Sequence, residues 1–382
     1  MTNLMDYLTW RGDLSMKADP FNIVDAMILA ELSYLPLEYL IPEAFGLGRP
    51  IAELAKEFQP DTVPESERIF TFREDYRLLR KLAQSERFRN VRMMGSQAIT
   101  DSAQEVQFAA FTYVLPAGEY YIAFRGTDSS ITGWKEDFSF SYLNETTGQR
   151  FAAEYLNRHV GASHDLIVGG HSKGGNFAVY AAVNCMPVVK KLIRRVYSFD
   201  GPGFRDEFAH SDSYQEMLPK CISVIPQSSL VGQILTSDTP HRIVRSSAPA
   251  ILQHFMYSWA VQGNDLVYAE SLSRLGTMIN VTLRQWLASL DDESRRSLTE
   301  AIFDVMSAPE TDTFKALRQN KIQSVQKIYA AIKSLDPDTQ FMVRKVIRKL
   351  ISSSGNALNN EIYRFCRKEE QDYKIRMRRH KD

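Results

Sequence analysis

One stretch of the sequence decides the fold, and it reads LIVGGHSKGGNFAVYAAV from Leu166 to Val183. It begins with a short apolar run typical of a buried strand and ends with an alanine-rich segment typical of a helix. Between them, Gly170 to Gly174 form a G-x-S-x-G pattern centred on Ser172. Strand, tight turn and helix in this order expose a serine hydroxyl as a nucleophile. The alternative interpretation is an ordinary glycine-rich turn.

Further short apolar runs indicate a sheet that extends to both sides of this strand. Before it, the segments 106–115 and 120–124 flank a Pro-Ala-Gly turn and predict a β-hairpin. After it, helical patterns alternate with apolar runs at 196–199, 221–225 and 243–245. This alternation predicts an α/β fold, with a mixed and mainly parallel sheet that is covered by helices on both faces.

Three regions are predicted along the 382 residues. Residues 1–90 contain helical patterns, of which 21–35 is the most apolar, and are expected to pack on the core as an N-terminal helical segment. Residues 91–262 contain the strand patterns and form the α/β core. Residues 263–382 show helical patterns and almost no strand signal, which predicts a C-terminal helical extension with a basic end.

Composition and charge exclude several classes of protein. The chain is 44% hydrophobic, and Lys+Arg and Asp+Glu both number 46, so it is globular and has no overall charge that favours nucleic acid. The N-terminus lacks the apolar region of a signal peptide, and the longest uncharged segment, 246–264, is too polar to span a membrane. Three scattered cysteines (Cys185, Cys221 and Cys366) predict a reducing, cytoplasmic compartment. No motif has metal-ligand or nucleotide-binding spacing, so no cofactor is predicted.

Several further motifs accompany the serine pattern. FRGT at 124–127 is followed by W-x-x-D at 134–137, and DGPG at 200–203 and HFMY at 254–257 lie downstream of the serine. Together these motifs resemble the fungal-type, or class 3, lipases of the α/β-hydrolase superfamily over residues 106–259. The resemblance implies an α/β-hydrolase-like fold. The N- and C-terminal regions look unlike the secreted lipases, which favours an intracellular bacterial branch of that group.

The resemblance also implies which residues form a site. Ser172 is the expected nucleophile, and Thr127 with the backbone N–H of Lys173 are the expected donors to the oxyanion. His254 is the expected base because it follows the serine in chain order and lies in the His-x-x-Tyr pattern. The alternatives are a loop threonine that bonds its own turn and a histidine packed in the core.

The acid is the point at which this sequence departs from the lipase pattern. Class 3 lipases place an aspartate after the strand that follows the Pro-Gly turn, but the matching residues 224–231 contain no carboxylate. Asp200, at the end of the preceding strand, is the best substitute because neighbouring strand ends lie side by side. Asp238 is a weaker candidate. The alternative for Asp200 is a backbone hydrogen bond within its own turn.

Three side chains next to these motifs are predicted to have no part in catalysis. Arg125 is expected to be a structural tie, and His171 to point away beneath the turn. Lys173 is expected to face solvent or substrate, because consecutive side chains diverge across such a turn.

The C-terminal end of the chain is basic. Residues 341–382 contain twelve Lys and Arg against five Asp and Glu, and apolar residues are interleaved with the first of these charges. Two interpretations stay open, namely a solvated helix face and peripheral contact with an anionic membrane or an acidic partner.

Two functions are consistent with these patterns. The first is a serine hydrolase that cleaves a small-molecule or lipid ester by a Ser-His-acid mechanism. The second is a catalytically weak or inactive α/β-hydrolase fold that serves as a binding or scaffold module. The first is the leading prediction, and the missing carboxylate after residue 225 and the large helical region are the features that support the alternative.

Overall fold

The computed structural model describes residues 1–128, 131–274, 276–277 and 291–307, together with positions 333 and 340. The predicted basic segment 341–382 and most of the predicted helical extension lie outside the described residues. Within the described ranges, no helix is both long enough and apolar enough to cross a membrane.

Eleven strands are present in the described ranges. In chain order they are β1 (Arg49–Pro50), β2 (Arg92–Asp101), β3 (Val106–Val114), β4 (Tyr120–Phe124), β5 (Leu166–His171), β6 (Ile193–Phe199), β7 (Cys221–Pro226), β8 (His241–Val244), β9 (Val261–Gln262), β10 (Asp265–Leu266) and β11 (Tyr268–Ala269).

Nine of these strands form one mixed sheet in the order β1-β2-β3-β4-β5-β6-β7-β8-β11. The pairs from β4 to β8 are all parallel, whereas β1 to β4 and the β8–β11 pair are antiparallel. The predicted α/β-hydrolase-like fold, with a hairpin leading into a parallel sheet, is therefore confirmed.

The ten-residue strand β2 was not predicted from the sequence. Its pairing with β3 shifts register between Met94 and Gln97, and Gly95 lies between them with a φ of +65°. A bulge of this kind interrupts the two-residue alternation by which a strand is recognised in a sequence.

The helices of the described ranges are α1 (Leu4–Trp10), α2 (Ile23–Leu32), α3 (Ile51–Glu57), α4 (Phe72–Gln84), α5 (Ile131–Ser139), α6 (Thr147–Asn157), α7 (Lys173–Asn184), α8 (Pro187–Leu192), α9 (Asp206–Ala209), α10 (Asp212–Met217) and α11 (Asp292–Ser307). Several of them cover both faces of the sheet, and each face has its own apolar cluster. The alternation of side chains along β3 divides that strand between the two clusters. Phe108 and Ala110 belong to the cluster with α6 and α7, while Ala109, Phe111 and Tyr113 belong to the cluster with α1 to α4.

The helix α2 lies within the apolar pattern at 21–35 and is buried along its whole length. All ten of its residues are buried, and it packs against β4, β5, β6 and β10. Asn22 caps its N-terminus by accepting hydrogen bonds from the amides of Val24 and Asp25. The buried carboxylate of Asp25 pairs with the guanidinium of Arg87, which also has no exposed surface, so the charge inside this layer is compensated.

Candidate active site

Ser172 lies in a tight turn between the central strand β5 and the helix α7. Its backbone has a φ of +59° and a ψ of −129°, a region that non-glycine residues rarely adopt and that stores strain at functional turns. The turn is tight enough that a side chain at Gly170 would collide with the backbone of Gly174, and one at Gly174 with the carbonyl of Phe124. The structure therefore has the strand, turn and helix that the sequence predicted around Ser172.

His254 and Asp200 are in contact although 54 positions separate them in the chain. His254 Nδ1 lies 2.6 Å from Asp200 Oδ2, and the aspartate side chain is completely buried while the histidine side chain is 19% exposed. Because an ionised carboxylate only accepts hydrogen bonds, the proton of this contact belongs to Nδ1 of the histidine. In the neutral imidazole this arrangement places the lone pair on Nε2, which is the atom that a general base would use.

The loop after β7 holds Asp200 in place. Asp200 directly follows β6, has a φ of +49°, and its amide donates to the carbonyl of Val224 in β7 at 2.7 Å. Its Oδ1 accepts hydrogen bonds from Ser229 Oγ at 2.5 Å and from the amide of Gly232 at 3.1 Å. Ser229 thus occupies the segment in which the class 3 lipase pattern has its aspartate, and it supports an acid supplied by the neighbouring strand.

Asp238, the weaker candidate for the acid, does not contact His254. Its Oδ2 accepts a hydrogen bond from Gln215 Nε2 at 2.8 Å, and its Oδ1 lies 4.0 Å from His210 Nε2. Of the two aspartates that the sequence left open, the structure brings only Asp200 to the histidine.

The hydroxyl of Ser172 has no hydrogen-bond partner among the residues that the structure describes, His254 included. Ser172 is 9% exposed. The ring of His171, the residue before it, lies 4.4 Å from the ring of His254, so the histidine sits beside the serine turn. Catalytic hydrogen bonds are often long without substrate and shorten when it binds.

Thr127 follows the end of β4, which pairs in parallel with β5, so it lies at the same edge of the sheet as the serine turn. Its Oγ1 donates a hydrogen bond to Asp137 Oδ2 at 2.5 Å. Asp137 is the aspartate of the W-x-x-D pattern, so this residue holds the side chain of Thr127. Asp137 Oδ1 is buried without a partner among the described residues, and burial raises the pKa of Asp137 to about 6. The second expected donor, the amide of Lys173, is the first of α7, where a helix provides no internal acceptor.

The prediction that the Lys173 side chain faces solvent or substrate is wrong. The side chain is completely buried, and its Nζ donates to both oxygens of Gln107 at 2.8 and 2.7 Å and to Glu136 Oε2 at 3.0 Å. A side chain at a helix start is directed back past the N-terminus, and here that direction leads to β3 and α5. Of the groups of Lys173, only the backbone N–H therefore remains a candidate oxyanion donor, beside Thr127.

The buried Lys173–Glu136 pair predicts a large loss of stability when one partner is removed. Glu136 also accepts hydrogen bonds from Gln107, Thr146 and Gly148, so removal of the lysine leaves a buried carboxyl group that is held in place without its cation. Lys173→Met should lower the free energy of unfolding in urea by about 3–5 kcal/mol. The control is Arg194→Met, whose pair with Asp165 is largely exposed and should contribute no more than about 1 kcal/mol. Equal losses in the two variants would contradict this interpretation.

Arg125 has the structural role that the sequence analysis expected, whereas the ring of His171 does not point away from the site. Arg125 is buried and is a structural tie, because it donates to main-chain carbonyls of the segment after α2 and pairs with Glu38. His171 is buried beneath the turn. The sequence did not indicate that its ring contacts the main chain of His254.

A cavity of about 340 Å³ lies away from these residues, on the face of the sheet that α6 and α7 cover. Phe140, Asn176, Phe204 and Arg205 are among its lining residues. Ser172, Thr127 and His254 do not line it, so it is separate from the candidate active site.

This chain is similar to one protein family and to several lipase structures. A family model described as Mbeg1-like matches residues 82–304. The Rhizomucor miehei lipase propeptide complex is 16% identical with a TM-score of 0.32, and the match covers 41% of this chain and 57% of that one. M37 lipase is 15% identical with a TM-score of 0.33, over 55% and 67% of the two chains. A fungal lipase–inhibitor complex is 16% identical with a TM-score of 0.31, over 41% and 66%. The comparison with curated proteins found no match.

Proposed function

This chain belongs to the Mbeg1-like family, and we propose that it is a serine hydrolase that cleaves carboxylic esters. The observation that carries the proposal is the contact between buried Asp200 and His254 beside the strained turn of Ser172. A nucleophile, a base and an acid are then available in the roles that acyl transfer requires.

The reaction follows from these positions. Ser172 Oγ attacks the ester carbonyl while His254 Nε2 takes the hydroxyl proton, and Asp200 stabilises the imidazolium that results. The negative charge on the carbonyl oxygen is stabilised by the backbone N–H groups of Thr127 and Lys173, because the hydroxyl of Thr127 already donates to Asp137. His254 then gives its proton to the leaving alcohol, and water releases the acyl group from the serine by the same steps.

The apolar surface beside His254 supports an acyl or lipid ester as the substrate. Phe70 is 79% exposed and stacks on Phe255, the neighbour of His254, with ring centroids 4.9 Å apart. Leu252, two residues before the histidine, is 39% exposed. An exposed apolar cluster at the rim of a polar site is suited to an alkyl chain.

The variant Phe70→Asp tests whether this exposed apolar cluster contacts the alkyl chain of the substrate. The substitution should raise the KM for p-nitrophenyl octanoate about tenfold, because the ring's contribution of about 1.5 kcal/mol to burying an alkyl chain is lost. The KM for the acetate ester should change little, since an acetyl group has little apolar surface for the ring to bury. Leu47→Asp is the control, because Leu47 is 87% exposed and lies just before the edge strand β1. An equal effect on the KM of both esters would show that the cluster around Phe70 does not bind the acyl chain.

A fluorophosphonate probe tests the proposed hydrolase directly. The probe should label the folded protein once, on the tryptic peptide 159–173 that contains Ser172, and should not label protein unfolded by heat. Folded protein without a label would argue for the alternative, an inactive α/β-hydrolase fold that serves as a binding or scaffold module. The missing carboxylate after β7 was the main argument for that alternative, and the Asp200–His254 contact weakens it.

The proposal also includes a cytoplasmic location for the protein. Cys185 and Cys221 are both free thiols, which supports a reducing cytoplasm. Membership of an intracellular bacterial branch and contact of residues 341–382 with an anionic membrane rest on the sequence alone.

A further inference from the structure

The first turn beyond α2 brings a tyrosine from the N-terminal segment to the candidate active site. Tyr34 OH lies 2.9 Å from His171 Nδ1, and burial raises the pKa of Tyr34 well above its usual range. The hydroxyl therefore keeps its proton and is available as a hydrogen-bond donor.

His171 links Tyr34 to His254, the candidate base. Its Nε2 lies 2.8 Å from the main-chain carbonyl oxygen of His254. Because a carbonyl only accepts, Nε2 of His171 carries the proton, and its Nδ1 must accept the proton of Tyr34. Burial and the nearby His254 hold the pKa of His171 well below its usual range, so the ring is neutral and one tautomer satisfies both contacts.

Two residues of the FRGT motif hold Tyr34 in position. Arg125 Nε donates to the carbonyl of Ser33 at 2.5 Å, and its Nη2 donates to the carbonyl of Leu35 at 2.9 Å, so the main chain is fixed on both sides of the tyrosine. A side chain at Gly126 would collide with the Tyr34 hydroxyl and with the carbonyl of His171, so only glycine leaves room for the contact.

The turn that carries His254 has a second attachment to the N-terminal helices. Tyr257 OH donates to Asp75 Oδ1 in α4 at 2.7 Å, and Asp75 Oδ2 accepts from Thr71 Oγ1 at 2.9 Å. The tyrosine of the His-x-x-Tyr pattern thus secures one end of the turn, and His171 secures the other.

We propose that Tyr34 is a positioning residue for the candidate base. By fixing His171 in its Nε2–H tautomer, it holds the main chain of His254 so that the imidazole stays between Asp200 and Ser172. The catalytic consequence rests on the proposed hydrolase function, whereas the hydrogen-bond relay is a property of the fold.

Tyr34→Phe removes the single hydroxyl on which this relay depends. Without a donor at Nδ1, His171 can also adopt the Nδ1–H tautomer, which turns a nitrogen lone pair towards the His254 carbonyl. The two acceptors repel each other, and the histidine loses its fixed position. We expect kcat for p-nitrophenyl butyrate to fall about tenfold to a hundredfold, as small displacements of catalytic groups do, with KM changed by less than about twofold.

Tyr121→Phe is the matched control. Tyr121 OH also joins the sheet to the N-terminal segment, through the carbonyl of Ala26 at 2.9 Å, but it has no part in the relay. Both variants should lose a similar amount of thermal stability, and only Tyr34→Phe should lose turnover. Equal kcat values for the two variants would overturn the proposal and leave Tyr34 a purely structural residue.

Histidine side-chain ¹⁵N–¹H spectra separate this proposal from the proposed function. Wild-type His171 should show protonated Nε2 and unprotonated Nδ1, and His254 should show a sharp low-field Nδ1 proton shared with Asp200. Tyr34→Phe should mix the tautomers of His171 and broaden the low-field signal, while Tyr121→Phe should change neither. These changes would support the positioning role even in a protein without esterase activity. An unchanged His254 signal in Tyr34→Phe would refute it even in an active enzyme.

Discussion

Ser172→Ala is expected to lower kcat for p-nitrophenyl butyrate by about six orders of magnitude, because removing a serine nucleophile eliminates the acyl-enzyme route. The variant should fold normally, since the hydroxyl has no hydrogen-bond partner among the described residues. Its Cβ is retained, so the strained turn is unchanged. The measurement is steady-state hydrolysis, together with loss of the fluorophosphonate label.

The control for this variant is Ser85→Ala. Ser85 is also buried, and its hydroxyl donates to the carbonyl of Gly12 in the N-terminal segment, remote from the serine turn. The Ser85→Ala variant should have a lower free energy of unfolding, but the turnover of the folded protein should be unchanged. More than about one per cent residual turnover in Ser172→Ala would assign the hydrolysis to another nucleophile, because triad variants fall far below that level.

Asp200→Asn is expected to lower kcat by about three to four orders of magnitude. Ser229 Oγ and the Gly232 amide both donate to the Oδ1 position, so the asparagine oxygen must occupy that side and its NH₂ group must face His254. Two donors cannot share the contact, and His254 therefore adopts the tautomer with its proton on Nε2. A protonated Nε2 cannot accept the serine proton, which removes the base.

The matched control for the acid is Asp238→Asn, which alters the other aspartate considered from the sequence. Asp238 contacts Gln215 rather than His254, so its variant should retain near-normal turnover. Circular dichroism should show both variants folded. If Asp238→Asn lost activity and Asp200→Asn did not, the assignment of the acid would be reversed.

The parts of the site that depend on local geometry could be predicted from the sequence. The serine turn is specified by an apolar run, two glycines and a helix start within a few positions, and Phe-Arg-Gly-Thr similarly ends a strand. The candidate acid was harder to predict. Asp200 was preferred to Asp238 because it ends a strand, but its contact with His254, 54 positions away, depends on the tertiary fold. Ser229, which supports Asp200, has no signal of its own because a hydroxyl in a loop is common.

The contacts that could not be predicted from the sequence join residues that lie far apart in the chain. Lys173 was misjudged because its partner Glu136 lies 37 positions earlier in the chain, and nothing near the lysine indicates a buried carboxylate. Tyr34 and His171 are 137 positions apart, and a tyrosine after an apolar helix is typical of ordinary core packing. The strand β2 was missed because its bulge breaks the alternation.

The complete burial of α2 has a consequence for synthesis of the protein on the ribosome. The helix is complete at Leu32, but the last of the four strands that pack against it ends at Leu266. At 5–20 residues per second the nascent chain carries a helix without a polar face for on the order of ten to fifty seconds. During that interval the apolar side chains of α2 have no strand of the sheet to cover them completely. Chaperone occupancy early in translation is therefore expected to limit the yield of folded protein.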